Sequence, residues 1–185
     1  LSVDLNKRSK DSQRFIFPNT CPSCGSKTVK DFNSTTKKID AVRRCSSEDY
    51  FCEKISIEKL KHFVSKEAFN IDGFGKKIVE NFYRLKFIKY PQDIFTLNYD
   101  KIENLEGWGK LSIENLKYSI NEKKRVPLER FIYSLGIRHI GLENAKLISK
   151  HFGSFFNFKN LSKKNNYKDL INIDGIGETQ VNSIK

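Results

Sequence analysis

The stretch FNIDGFG (69–75) returns almost letter for letter as INIDGIG (171–177). Aligned on the last glycine of each word, IDGFG (71–75) and IDGIG (173–177) are joined by two more copies, LEGWG (105–109) and IRHIG (137–141). The closing glycines lie 34, 32 and 36 residues apart, and a period in the thirties marks one supersecondary unit used repeatedly. Every word has an apolar residue at its first and fourth positions and glycine at its fifth. Gly73, Gly107 and Gly175 hold the third position, where the remaining copy has His139. Four residues past the final glycine stands Val79, Ile113, Ala145 or Val181, one helical turn in and facing the core. The predicted unit is helix, tight hairpin, helix. Its apolar pair buries against the flanking helices, and its glycines allow backbone angles and close approaches that a Cβ would block.

Such a turn leaves backbone N–H groups unpaired at the start of the second helix, where the helix dipole is positive. That combination binds a phosphate oxygen without reading any base. The candidate DNA-binding positions are therefore Gly73, Gly75, Gly107, Gly109, Gly141, Gly175 and Gly177. Lys76 (with Lys77) and Lys110 follow directly on two of the turns, and Arg138 lies inside the third. Glu178 takes that place in the fourth, which is expected to be a weaker or purely structural copy. One such turn alone would read as a plain helix connector. Four in register, in a chain of net charge +12, point to the backbone of duplex DNA.

An Asp-Gly pair also closes the adenylation motif Lys-x-Asp-Gly, whose lysine attacks an α-phosphate to form a phosphoramide. Here Asn70 and Asn172 stand where that lysine would be, and Lys-x-Asp-Gly occurs nowhere in the chain. No catalytic residue is assigned.

Ahead of the repeats are four cysteines, Cys21, Cys24, Cys45 and Cys52. The first pair flanks a tight turn, Pro22-Ser23 followed by Gly25, which points both sulfurs inward, and a second pair at the far end of a short hairpin completes a tetrahedron. All-thiolate, closed coordination suits structural Zn²⁺ and leaves no position for a catalytic water. Residues 15–55 have little else to build a core, so metal binding would supply much of their folding free energy. Two disulfides would need an oxidising compartment, for which nothing in the sequence speaks, and unrelated thiols would not fall into paired spacing. The three histidines, His62, His139 and His151, are scattered and read as packing or surface residues.

The composition is 38% hydrophobic and 30% charged, with 15 phenylalanines to anchor the cores. No apolar run approaches the roughly 18–20 residues needed to cross a bilayer, and no hydrophobic leader stands at the N-terminus. With Leu at position 1 and no Met anywhere, the chain is expected to be a piece of a longer protein. Ser56 is the expected cap of a helix presenting Ile57, Leu60, Phe63 and Val64, and a second helix presents Ile78, Val79, Phe82 and Leu85. KYPQDIFTL (89–97) reads as a loop leading into a short helix, and Pro127 as a helix start. Phe131, Ile132 and Leu135 read as core, Trp108 as packing rather than a base wedge, and Gly153 as a helix stop. Lys123, Lys124 and Arg125 form the densest basic run, equally a phosphate contact or a solvated cap.

Together, FPNTCPSCGS (17–26), the later cysteines, LKHFVSKEAFNIDGFG (60–75) and RFIYSLGIRHIG (130–141) resemble the C-terminal half of bacterial NAD⁺-dependent DNA ligases. The resemblance covers essentially the whole chain. It implies a mainly α fold in which residues 1–14 exit a preceding oligonucleotide-binding (OB) domain. Residues 15–55 would form a four-cysteine zinc finger, and residues 56–185 an all-α domain of four helix-hairpin-helix motifs. It also implies that adenylation, OB and BRCT domains lie outside the chain, and with them NAD and Mg. The implied parent seals nicks between 3′-hydroxyl and 5′-phosphate ends in replication and repair. This segment, inactive alone, would hold nicked double-stranded DNA as a cytoplasmic, nucleoid-associated monomer without membrane contact. The chain departs from the family pattern in its open Cys45–Cys52 loop and in the eight residues that follow Gly177. The alternatives are a hairpin-containing glycosylase or nuclease, for which no catalytic Asp and Lys arrangement is evident, and a non-ligase repair or recombination module.

Overall fold

The computed structural model describes residues 4–13, 15–33, 36–48, 50–164 and 167–185. The chain divides into two compact units between Glu48 and Asp49, ahead of the expected boundary after residue 55. The difference has a local cause. Cys52 is the N-cap of the first helix of the second unit, so the last cysteine is built into helical structure. Within residues 1–14, expected as the exit from a preceding domain, Leu5–Lys7 forms a single 3-10 turn, and residues 1–3 lie outside the described residues.

The first unit is held by very short strands. β1 (Thr28–Val29) pairs antiparallel with β4 (Arg44–Cys45), setting Thr28 opposite Cys45. β2 (Phe32–Asn33) pairs with β3 (Lys38–Ile39). Phe32, Ile39 and Val42 are exposed, and none of the buried core residues of the described chain falls before Cys52. Backbone pairing without a core is marginal in water.

The second unit is helical: α1 (Glu53–Phe63), α2 (Lys76–Arg84), a 3-10 helix (Pro91–Thr96), α3 (Tyr99–Glu103), α4 (Lys110–Glu122), α5 (Leu128–Ser134), α6 (Leu142–Phe152), α7 (Phe155–Lys164), a second 3-10 helix (Tyr167–Asn172) and α8 (Glu178–Ile184). KYPQDIFTL thus contains a 3-10 helix and leads on to α3, and Pro127 is the N-cap of α5. Gly153 ends α6 in the left-handed region at φ 66°. No helix of the described residues is long and apolar enough to cross a membrane.

Two hydrophobic cores organise these helices. The first joins α1, α2, α3 and α4 through Leu60, Phe74, Val79, Phe82, Ile102 and Leu116. The second joins α5, α6, α8 and their connections through Ile132, Ile140, Ala145, Ile148, Leu170 and Val181. The four-fold sequence repeat is therefore built as two pairs of hairpins. A pair buries what a single hairpin would leave exposed, because each apolar stripe needs a facing one. Phe131 packs against both cores. Trp108 lies 5.4 Å from Phe82, ring to ring, as a packing residue.

Three local expectations are corrected. Ser56 does not cap α1; it lies inside the helix, buried, and its hydroxyl donates to the Cys52 carbonyl at 2.9 Å. Leu85 and Leu135, expected in the core, are 41% and 43% exposed. Each sits at the C-cap of its helix, α2 or α5, and the residue that follows turns left-handed (Lys86 at φ 59°, Gly136 at φ 62°). The helical spacing that would have carried both leucines inward stops there.

Candidate metal centre and nucleic-acid interface

The four cysteine sulfurs all lie within 4.8 Å of one another, and none is in a disulfide. A turn at Cys21–Ser26 supplies the first pair: the Gly25 amide donates to the Cys21 carbonyl at 2.8 Å, and the Cys21 amide to the Ser26 carbonyl at 2.7 Å. Gly25 takes φ 74°, a conformation that costs glycine little. The β1–β4 pair then brings Cys45 back to this turn, with the Ser46 amide donating to the Lys27 carbonyl at 2.9 Å. The Cys24 and Cys45 sulfurs are 3.5 Å apart. A tetrahedral all-sulfur zinc site with bonds of about 2.3 Å sets its sulfurs about 3.8 Å apart, so the spacing fits the ion. Sulfur donors alone, with no carboxylate or imidazole among them, favour zinc over hard cations.

Polar neighbours tune the thiols. The Ser26 hydroxyl, 3.3 Å from the Cys24 sulfur, and the Ser26 amide bring the Cys24 pKa down to about 6. The Ser47 amide donates to the Cys45 sulfur at 3.4 Å and favours its thiolate. Burial and the neighbouring Cys24 and Cys21 sulfurs outweigh it and push Cys45 up to about 11. The Cys24 thiolate is thus preformed at neutral pH, whereas Cys45 must give up its proton when a cation enters.

The four hairpin words share one backbone. Their third residue is left-handed in every copy: Gly73 at φ 77°, Gly107 at 83°, His139 at 64° and Gly175 at 88°. In each, the amide of the fourth residue donates to the carbonyl of the first: Phe74 to Ile71 (3.2 Å), Trp108 to Leu105 (3.2 Å), Ile140 to Ile137 (3.1 Å) and Ile176 to Ile173 (2.9 Å). His139 keeps this geometry without glycine's freedom, which carries a steric cost for an L side chain. Its carbonyl accepts a 2.9 Å hydrogen bond from Asn144 Nδ2, one turn into α6. Sequence reading passed over Asn144. The available signal was an amide side chain within reach of the one turn that lacks its third-position glycine.

The final glycine of each word is the N-cap of the next helix. Gly75, Gly109, Gly141 and Gly177 precede α2, α4, α6 and α8 in extended conformation. No side chain caps the first amides of α2, α4 or α6. The amide of Val79, Ile113, Ala145 or Val181 makes the first α-helical bond, back to that glycine's carbonyl. Gly75, Gly109 and Gly141 have negative φ, and a Cβ built on any of them meets nothing within 4 Å. The fold therefore does not require glycine at these three positions. Gly175 differs, since its Cβ would come within 3.0 Å of Leu147 Cδ1.

Charge distinguishes the copies. Lys76, Lys77 and Lys110 are exposed at the starts of α2 and α4, and Arg138 is exposed in the third turn. The fourth turn carries exposed Asp174 and Glu178, and Gln180 Oε1 accepts the Gly177 amide at 3.2 Å. Of the basic run, Lys123 is the half-buried C-cap of α4, and Lys124 and Arg125 are exposed beside Phe69, Phe95 and Phe155.

The described residues thus combine a tetracysteine cluster that could hold a metal ion with paired helix-hairpin-helix turns. A family model described as helix-hairpin-helix motif matches residues 130–185, the stretch that forms the second core. The whole chain is 68% identical over 185 residues to a DNA ligase of Pelagibacter ubique, of which it spans 27%. It is 39% identical over 192 residues to a DNA ligase of Parvibaculum lavamentivorans and 40% identical over 194 residues to one of Roseobacter denitrificans. Those alignments cover 97% and 98% of this chain and 27% and 26% of the relatives. Relatives named DNA ligase thus match this chain along essentially its whole length, and the chain spans about a quarter of theirs.

Proposed function

We propose that this chain is the DNA-holding part of an NAD⁺-dependent DNA ligase, which seals nicks between 3′-hydroxyl and 5′-phosphate ends in replication and repair. Residues 1–14 lead in from a preceding domain, residues 15–55 form a zinc finger, and residues 56–185 hold the duplex through its backbone. Zinc, bound by Cys21, Cys24, Cys45 and Cys52, is structural: four thiolates fill a tetrahedron and leave no site for water or substrate. NAD and Mg serve the parent through residues outside this chain, which acts as a monomer in the bacterial cytoplasm at the nucleoid. The observation that carries the reading is the uncapped helix N-terminus behind each of Gly75, Gly109 and Gly141, with empty space where a side chain would stand. A phosphate can approach there, accept from the first amides, and meet the positive end of the dipole.

Replacing Gly75, Gly109 and Gly141 together by serine tests this, because folding and binding should move in opposite directions. Serine is a better N-cap than glycine and restricts the unfolded chain, so each change should stabilise by about 0.5 kcal/mol. The same hydroxyls occupy the amides and the space that phosphate needs, so duplex affinity should fall about tenfold or more. A melting temperature that rises with affinity unchanged would refute phosphate binding at these turns.

The ligase role has its own test. Alone, the chain should seal no nick. Added to the remainder of a related ligase that lacks this segment, it should restore NAD⁺-dependent joining of nicked duplex, read as ligated product on a denaturing gel. No increase in product at saturating chain would overturn the assignment.

A further inference from the structure

The two hairpin pairs have separate cores, and a small set of side chains joins them. Arg130, in α5, donates from Nη1 to the carbonyls of both Lys66 and Ala68, each at 3.0 Å. Those carbonyls belong to the turn between α1 and the first hairpin word. His62, in α1, meets the Tyr133 carbonyl at 2.7 Å through Nε2. A carbonyl only accepts, so Nε2 carries the proton. The same imidazole lies 4.6 Å from the Tyr133 ring and closes on Gly136, whose Cβ would meet it at 3.4 Å. Phe131, next to Arg130, packs into both cores. All of these contacts run from α1 and its following turn to α5 and its C-terminal turn.

We propose that Arg130 and His62 are positioning residues that fix the register between the two hairpin pairs, so that both engage one duplex together. The inference rests on the backbone-binding reading above. Neither side chain sits in a hairpin word, and Arg130 directs its charge to two backbone carbonyls of the first pair. A guanidinium bridging two carbonyls also fixes direction better than apolar contact, which tolerates sliding. The functional weight lies in multivalency. When two sites are held in matching geometry, the second contact is intramolecular, and avidity exceeds either affinity by about 10²–10⁴-fold. If the linkage loosens, each pair still binds but the avidity disappears.

Duplex length separates this role from a direct contact. The longest helix of the unit has 13 residues, about 20 Å, so one hairpin pair fits within one turn of DNA, about 10 base pairs. For Arg130→Met, affinity for a duplex of about 30 base pairs should fall at least tenfold, and affinity for one of about 10 base pairs less than twofold. Arg130→Lys keeps a donor in reach of the two carbonyls and should restore most of the long-duplex affinity. His62→Phe, which keeps the ring and removes the donor, should reproduce the length-selective loss. Equal loss on both duplexes would mean that Arg130 touches DNA or that the fold has failed, and would overturn the proposal, as would no loss on either. Wild-type chain that binds neither duplex would instead refute the backbone-binding reading itself.

Discussion

Cys45→Ser is expected to strip zinc from the protein and unfold its first unit while the helical unit stays folded. The first unit has two-residue strands, exposed Phe32, Ile39 and Val42, and no buried core residue ahead of Cys52 among the described residues. Its stability must come from the cross-link. Structural zinc supplies about 10–16 kcal/mol of apparent binding free energy at neutral pH, more than strands of this size can replace. The readout is elemental analysis together with hydrogen exchange at the amides of Thr28, Asp40 and Ser46. These now donate to the carbonyls of Asn19, Asp31 and Lys27 at 2.7–2.9 Å. All three should lose protection in the variant, and the thermal transition of the helical unit should be retained. Protection surviving without metal, or wild-type protein purified without chelator that holds no zinc, would defeat the assignment.

The same site predicts the sign of the pH dependence. Cys45, with its pKa at about 11, holds a proton at neutral pH that must be released when zinc binds. Affinity should therefore weaken as pH falls. The decline should steepen below about 6, where Cys24 also protonates and its thiolate too must be generated.

The other large effect concerns charge. Lys76 and Lys110 stand at the first helical positions of α2 and α4, exposed and directly after their hairpin glycines. On the proposed reading, reversing both to glutamate would remove two charge-assisted hydrogen bonds to phosphate, worth about 1.5–3 kcal/mol each, and would set two carboxylates against the DNA backbone. Duplex affinity should fall at least a hundredfold. The slope of log affinity against log salt should shrink by about 0.9 for each phosphate that is no longer neutralised. The loss should be the same for unrelated duplex sequences, because nothing in the turn geometry reads a base. Unchanged binding, or strong sequence preference in the wild type, would sink the hairpin interface.

Much of this protein was legible in the residue order because its signals are local. A left-handed third position, an apolar fourth and a glycine N-cap are all decided within five residues, so IDGFG, LEGWG and IDGIG announce their turns directly. Even IRHIG was legible by register, although its third position is His139, whose carbonyl accepts from Asn144. The cysteine spacing was equally plain, since a two-residue gap in a tight turn leaves the sulfurs few arrangements. The ends of α2 and α5 were not legible. Leu85 and Leu135 keep the helical spacing, and only the left-handed residue after each shows that the helix has stopped. The start of α1 was not legible either: Ser56 has the right chemistry for a cap, but the helix already begins at Glu53, behind Cys52.

Sequence by itself determined the unit and its number, because periodic apolar positions and glycines at fixed offsets are short-range properties of the chain. It also picked out the four cysteines whose sulfurs the fold brings together. Only the tertiary structure decided that four hairpins become two pairs, since pairing depends on which apolar faces meet across thirty or more residues. Arg130 reaching Lys66 and Ala68, and His62 reaching Tyr133, are contacts of that long range. A lone arginine or histidine has no period to betray it.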